Sequence, residues 1–223
     1  MRTLAIGDIH GCQTALLALI GLVRPEPSDT LVFLGDYIDR GPNSRAVVET
    51  LIGLKQNRTC LPVFLRGNHE VMILEARSDS TQDNLWQSYG GLETLYSYDA
   101  NFKPDWAARI PKSHWDFFEQ TVNYFETPTE IFVHACLDPH VDLTEQEDGL
   151  LFWETFGTLR PHKSGKRVIC GHTSQRSGKI NNVGYGVCID TAAATGGWLT
   201  CLDVGSGTFW QANENGETRQ GRL

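Results

Sequence analysis

The chain has 223 residues, with 19 Lys+Arg against 27 Asp+Glu and a formal net charge of -8. At 40% hydrophobic, 10% aromatic and 21% charged, it has the balance of a globular protein and too much apolar surface for disorder. No apolar run approaches the ~18 residues of a membrane span, and the negative charge argues against nucleic-acid binding, which needs a basic face.

Thr3 to Asp8 reads as a strand rather than as the basic-then-apolar opening of a secretory leader. Thr14 to Val23 places Leu16, Leu17, Leu19, Ile20 and Val23 on a helical face, and Pro25 and Pro27 end it. Thr30 to Leu34 is a second buried strand. A helix follows from about Ser44, read as its N-cap, with Val47, Val48, Leu51, Ile52 and Leu54 on one stripe. Pro62 to Leu65 is a third strand, and the alternation implies right-handed βαβ crossovers and a mostly parallel sheet at this end. Residues from about 77 to 122 are polar, aromatic and strand-poor, and read as a helical insertion in a single domain covering 1–223. Trp86, Tyr89 and Tyr96 are candidate walls of a substrate groove there, although packing onto the sheets is their expected role.

From Val122 short strands return: Val122 to Phe125, Glu130 to His134, Arg167 to Cys170, Gly186 to Ile189, Leu199 to Val204 and Thr208 to Gln211. Gly and Asn turns between them suggest a second, mixed or antiparallel sheet. The expected class is α/β, two sheets packed together and flanked by helices, with a polar tail from Asn213 to Leu223 that frays. Cys12, Cys60, Cys136, Cys170, Cys188 and Cys201 are scattered without a CxxC pair. They read as buried or partly buried free thiols in a reducing, cytoplasmic setting, not as a disulfide framework or a cysteine zinc site.

Five apolar strands each release a polar cluster at their C-terminal end. Asp8 and His10 follow the first, Asp36, Asp39 and Arg40 the second, and Asn68, His69 and Glu70 the third; His134 and His172 end two later strands. Open α/β sheets place their sites there, because the loops converge on one crevice. Carboxylate, imidazole and amide oxygen together suit manganese, iron or zinc. The six donors Asp8, His10, Asp36, Asn68, His134 and His172 suffice for two divalent ions if one carboxylate bridges, and Asp36 is the natural bridge. Two ions ~3.5–4 Å apart can hold both the attacking and leaving oxygens of an in-line displacement. Such a site asks for a phosphoryl substrate, which Arg40 is placed to grip. His69 is better placed as a proton donor to the leaving oxygen than as a ligand, with Asp39 fixing its tautomer. A lone strand-end Asp, Asn or His is more often a turn residue, but that reading would have to hold independently at five loops. Glu70 reads as structural, pairing Arg66 or capping the next helix, and His114, His140 and His162 as surface or packing residues.

Gly7-Asp8-Ile9-His10-Gly11, Gly35-Asp36-Tyr37-Ile38-Asp39-Arg40-Gly41 and Gly67-Asn68-His69-Glu70 resemble, in order and spacing, the three signature blocks of PPP-type phosphoprotein phosphatases, part of the calcineurin-like metallophosphoesterase superfamily. His134-Ala135, Gly171-His172-Thr173 and Ile189-Asp190-Thr191 with Gly197-Trp198-Leu199-Thr200 are similar to its compact bacterial and phage members. The likeness runs from Leu4 to about Val204 and is thin between about Arg77 and Val122. It implies an αββα sandwich, two metal ions usually satisfied by manganese, and direct attack by metal-bound water. By motif match, Asp8, His10 and Asp36 serve one ion, and Asp36, Asn68, His134 and His172 the other. Arg40 and Asn68 meet the phosphate, and His69 with Asp39 forms the acid dyad.

Compact relatives carry a second phosphate-binding arginine shortly after a Trp, where Thr155 stands here after Trp153; Arg160 is the candidate to replace it. The leading expectation is a phosphoprotein Ser/Thr phosphatase, with phosphotyrosine and small phosphoesters left open as substrates. The runner-up is a nucleotide hydrolase of the symmetrical diadenosine tetraphosphatase type. A non-catalytic binding module on the same fold is a third possibility, which loss of a ligand or of the acid histidine would signal. The sequence leaves the oligomeric state open.

Overall fold

The computed structural model describes all 223 residues. Strand β1 (Thr3–Ile6), helix α1 (Gln13–Val23), β2 (Thr30–Phe33), α2 (Ser44–Gln56) and β3 (Leu61–Phe64) form the expected alternation, with β1, β2 and β3 parallel. Helix α3 (Asn68–Ser78) begins directly at the third polar cluster. Only helical pieces follow before the next strand: α4 (Asp83–Trp86), a π-turn over Gln87–Gly91, α5 (Leu92–Ser97), α6 (Trp106–Arg109) and α7 (Lys112–Glu119). Then come β4 (Tyr124–Glu126), β5 (Glu130–Val133), α8 (Asp148–Trp153), β6 (Arg167–Cys170), β7 (Asn181–Asn182), β8 (Gly186–Cys188), β9 (Asp190–Thr191), β10 (Trp198–Asp203), β11 (Thr208–Ala212) and β12 (Thr218–Arg222).

Two mixed sheets result. One has the order β12-β11-β10-β1-β2-β3, with β9 also on β10; the other has the order β4-β5-β6-β8-β7. The central strands β1, β2, β5, β6 and β10 are buried on both faces, so the period-2 alternation there separates two kinds of core rather than core from solvent. Ala5, Val32, Leu34, Phe132, Ile169, Val187 and Leu202 meet between the sheets. Leu4, Ile6, Leu31 and Phe33 turn instead to α1, α2 and the central helices, and Ile131, Val133, Val168 and Cys170 to the outer layer containing α8. This is the αββα arrangement. All six cysteines are buried and free, and no helix is long and apolar enough to cross a membrane.

Three expectations are corrected. The late strands do not all build the second sheet, because β10 pairs antiparallel with β1, Leu4 opposite Asp203, and brings β11 and β12 with it. The polar tail does not fray. It forms β12 in register with β11, Ala212 opposite Thr218, through a turn in which Asn213 Oδ1 accepts the amides of Asn215 and Glu217. Glu214, in the same turn, accepts the amides of Thr14 and Ala15 and so satisfies the first turn of α1. Ser44 is not the cap of α2: the cap position is Asn43, and Ser44 is buried inside the first turn.

Candidate active site and metal centre

Strands β1, β2 and β3 are parallel in one sheet and β5 and β6 in the other, and the loops that follow these five strands meet at one place. The first two loops are locked together: the amides of Ile9 and His10 both donate to Asp36 O, at 3.0 and 2.8 Å. His10, Asp36, Asp39, Arg40 and His172 all have left-handed backbone, φ between 46° and 72°. For residues with side chains this is strained, and a cluster of such residues at one place is characteristic of functional sites. Two glycines are required by close approach: a Cβ on Gly67 would lie 2.1 Å from Asp36 Oδ1, and one on Gly171 2.0 Å from Asp8 Oδ1.

Asp36 lies at the centre, 2% exposed. Its Oδ2 is 3.4 Å from His10 Nε2 and 3.9 Å from His69 Nε2, while Oδ1 is 3.5 Å from His134 Nε2. One carboxylate thus faces two donor groups with different oxygens. Among His, Cys, Asp and Glu, the two groups whose donor atoms lie within 4.8 Å of one another are His10, Asp36, His69 and Asp36, His134, His172. Asn68 Oδ1 joins the second group, 3.0 Å from His134 Nε2 and 3.1 Å from His172 Nδ1. Asp8 borders both without belonging to either, and its carboxylate accepts the His172 amide at 3.0 Å.

The donor set fits divalent cations on its own chemistry. Burial lowers His10 to about 3 and His172 to about 4, and lowers His134 as well, so these imidazoles are neutral at pH 7, the ligating form. The rings of His10 and His134 place Nδ1 on the carbonyls of Ile38 (2.9 Å) and Leu34 (2.8 Å). That uses the single ring proton and leaves the Nε2 lone pairs facing inward, as outer partners do for metal-bound histidines. At His134 the lone pair then faces the Asn68 oxygen at 3.0 Å, a pair of donor atoms that one cation could share. Burial opposes the charge of Asp36, but His134, His69 and His10 hold it well below the usual carboxylate range. Burial, then Asp190 and Asp36, raises Asp8, a cost that a nearby cation would remove.

Beside this cluster, His69 Nδ1 lies 2.7 Å from Asp39 Oδ2, both side chains fully buried. His69 Nε2 is buried without any hydrogen-bond partner. Burial works against a charge on His69, but Asp36 and the hydrogen bond to Asp39 outweigh it and raise the imidazole above its ordinary value. Arg40 reaches in from the surface, its Nη1 donating to His10 Nε2 at 2.8 Å.

Other expected residues lie elsewhere. Arg160 is not brought to the site: its Nη1 donates to the carbonyls of Gly157 and Leu159 in its own loop, and no hydrogen bond or ion pair ties it to the cluster. Thr155 is exposed, with its amide on Glu154 Oε1. Glu70 does not pair Arg66, whose guanidinium is taken by Thr121 and nearby carbonyls. It accepts the amides of Gly67, Asp36 and Tyr37, capping α3 and tying the second loop to the third. His114 and His162 pack as expected, against Tyr98 and Val141 O. Sequence reading missed Thr94 and gave Trp86 and Ser44 other parts, yet all three hold Asp39: the Trp86 indole N–H and the Thr94 hydroxyl donate to its carboxylate, and Ser44 Oγ accepts its amide. No local pattern marks them, since Thr94 lies 55 positions from Asp39. Tyr89 and Tyr96 are about half exposed.

A family model of calcineurin-like phosphoesterases matches residues 1–194, and the chain belongs to that family. Serine/threonine-protein phosphatase 1 of Salmonella typhimurium is 37% identical over 110 residues, 49% of this chain and 42% of that protein. The chain therefore spans under half the length of that relative. The symmetrical bis(5'-nucleosyl)-tetraphosphatase of Pseudomonas fluorescens is 24% identical over 270 residues, covering 93% of this chain and 89% of that enzyme. Among solved structures, a cold-active protein tyrosine phosphatase shares the fold, with a TM-score of 0.69 at 15% identity over 98% of this chain and 78% of the other.

Proposed function

We propose that this chain is a metal-dependent phosphoprotein phosphatase, hydrolysing phosphomonoesters of serine and threonine, with phosphotyrosine within its range. The observation that carries the reading is the buried His69, whose Nδ1 is held on Asp39 while Nε2 faces the cluster with no partner. That is a proton donor awaiting a leaving oxygen. Asp8, His10 and Asp36 would hold one ion, and Asp36, Asn68, His134 and His172 the other, manganese being the first candidate and iron or zinc the alternatives. When bound, such ions supply Lewis acidity and activate a water for in-line attack on phosphorus. Arg40 turns from His10 to two equatorial phosphoryl oxygens, with Asn68 beside it. His69 delivers its Nε2 proton to the departing oxygen, and Asp39 keeps the ring aligned. Residues 1–223 act as one domain with a helical insertion at about 77–122, and six buried free thiols support a cytoplasmic setting.

A second reading is favoured by a separate observation: the alignment with the Pseudomonas fluorescens tetraphosphatase is nearly end to end, unlike that with the Salmonella phosphatase. The test offers chelator-stripped protein, reloaded with manganese, iron or zinc, p-nitrophenyl phosphate, phosphoserine and phosphotyrosine peptides, and diadenosine tetraphosphate. Metal-dependent release of phosphate from the peptides, with slow cleavage of the dinucleotide, supports the phosphatase. The reverse order establishes the nucleotide hydrolase, and inactivity with every metal refutes both.

A further inference from the structure

The segment from Trp86 to Thr94 grips the second loop at Asp39 and Arg40. The Trp86 indole N–H donates to Asp39 Oδ2 at 2.9 Å, the same oxygen that meets His69 Nδ1. Thr94 Oγ1 donates to Asp39 Oδ1 at 2.6 Å and accepts the Asp39 amide at 2.9 Å. Because its one proton goes to the carboxylate, the 2.8 Å contact with Ser44 Oγ is donated by Ser44. Between these anchors the Arg40 amide donates to Gly90 O at 3.0 Å. Gly90 has φ +110°, and a Cβ there would come within 2.7 Å of Arg40 N and Cγ. A Cβ on Gly91 would lie 2.5 Å from the Trp86 indole, so this glycine lets the ring lie flat against the turn. The indole is backed by Trp106, ring centroids 4.9 Å apart, and is 1% exposed.

A carboxylate that only had to fill space would not need three buried side-chain donors on its two oxygens. We infer that Trp86 and Thr94 are positioning residues for proton delivery: they fix the rotation of the Asp39 carboxylate, and through it the direction of His69 Nε2. The inference deepens the proposed function and rests on the acid role of His69. Neither residue touches substrate, so each acts through Asp39. The helical stretch that follows α3 is then part of the acid apparatus and not only a wall beside the site.

Leaving-group dependence tests this, because a departing oxygen that is already a weak base needs no proton. Manganese-loaded parent, Thr94→Val, Thr94→Ser, Trp86→Phe and His69→Asn are compared on phenyl phosphate and 2,4-dinitrophenyl phosphate, reading kcat and KM separately. The kcat loss of Thr94→Val and of Trp86→Phe on phenyl phosphate is expected to exceed their loss on the dinitrophenyl ester by about tenfold, part of the ~10²–10⁴ that a general acid supplies. KM moves little, and Thr94→Ser, which restores the hydroxyl, recovers most of the loss. Equal losses on both esters in Thr94→Val and Trp86→Phe, beside a steep difference in His69→Asn, overturn the positioning role alone. A flat response in His69→Asn overturns the acid reading itself. Should Thr94→Val fail to fold, Trp86→Phe decides the matter by the same ratio.

Discussion

Glu70→Gln tests how the second and third loops are held in register. The Glu70 carboxylate is fully buried and accepts three amides: Asp36 at 2.8 Å and Gly67 at 3.0 Å on Oε2, and Tyr37 at 2.9 Å on Oε1. Burial and the Asp36 charge push Glu70 up to about 8. Both oxygens are nevertheless used as acceptors, and a carboxyl proton would displace one of the three bonds. Glutamine has nearly the same shape but only one acceptor, so its best orientation keeps two bonds and turns an N–H against the Tyr37 amide. One charge-assisted hydrogen bond is worth ~1.5–3 kcal/mol, and a buried donor is left unpaired besides, so the expected loss is about 2–4 kcal/mol. Urea denaturation of metal-free parent and variant reads this as a lowered midpoint at constant slope. Manganese titration should weaken as well, since the same bonds hold the Asp36 loop against Gly67 and Asn68. A variant within about 0.5 kcal/mol of the parent would show that Glu70 is held as the neutral acid, and the bracing argument would fail.

His69→Asn should lower kcat by roughly 10²–10⁴ while manganese content, measured by elemental analysis, stays as in the parent; loss of metal would make His69 a ligand instead. Gly171→Ala puts a methyl group on the Asp8 carboxylate and is expected to weaken manganese binding at least about tenfold by calorimetry. Gly21→Ala, whose Cβ meets nothing within 4 Å, should be neutral or stabilising by up to ~1 kcal/mol. Equal behaviour of these two variants would contradict the packing at Gly171. Burial opposes the charge of Asp29, but Arg2 and the amides of Glu26 and Arg2 outweigh it and hold Asp29 at about 2. A depressed carboxylate stabilises the fold above its unfolded value near ~4 and loses that contribution as pH falls towards the folded one. Asp29→Asn should therefore cost about 2 kcal/mol at pH 7, and the gap should close between pH 4 and 2; a gap independent of pH would exclude this ion pair as its source.

Much of the architecture and most of the candidate site were legible from the chain alone, for a local reason. Strand alternation, helical stripes and turn glycines are written within a few residues, and the polar clusters at the strand ends converge because β1, β2 and β3 run parallel in one sheet and β5 and β6 run parallel in the sheet packed on it. His10, Asp36, Asn68, His134 and His172 are brought together in this way, with Asp8 at their border. What the chain could not show depends on partners far away in sequence. Strand β10 could have extended either sheet, and it joined β1 because that edge was open and in reach. The polar tail became β12 because β11 offered an edge and Glu214 found the bare amides of α1. Arg160, read as a replacement for a missing arginine, was claimed by carbonyls of its own loop. Trp86 and Thr94 acquired their part only when the helices around them folded back over Asp39, a contact that no periodicity encodes. Residue type and spacing set which atoms can do chemistry; the closure of distant loops on one another decided which neighbours aim them.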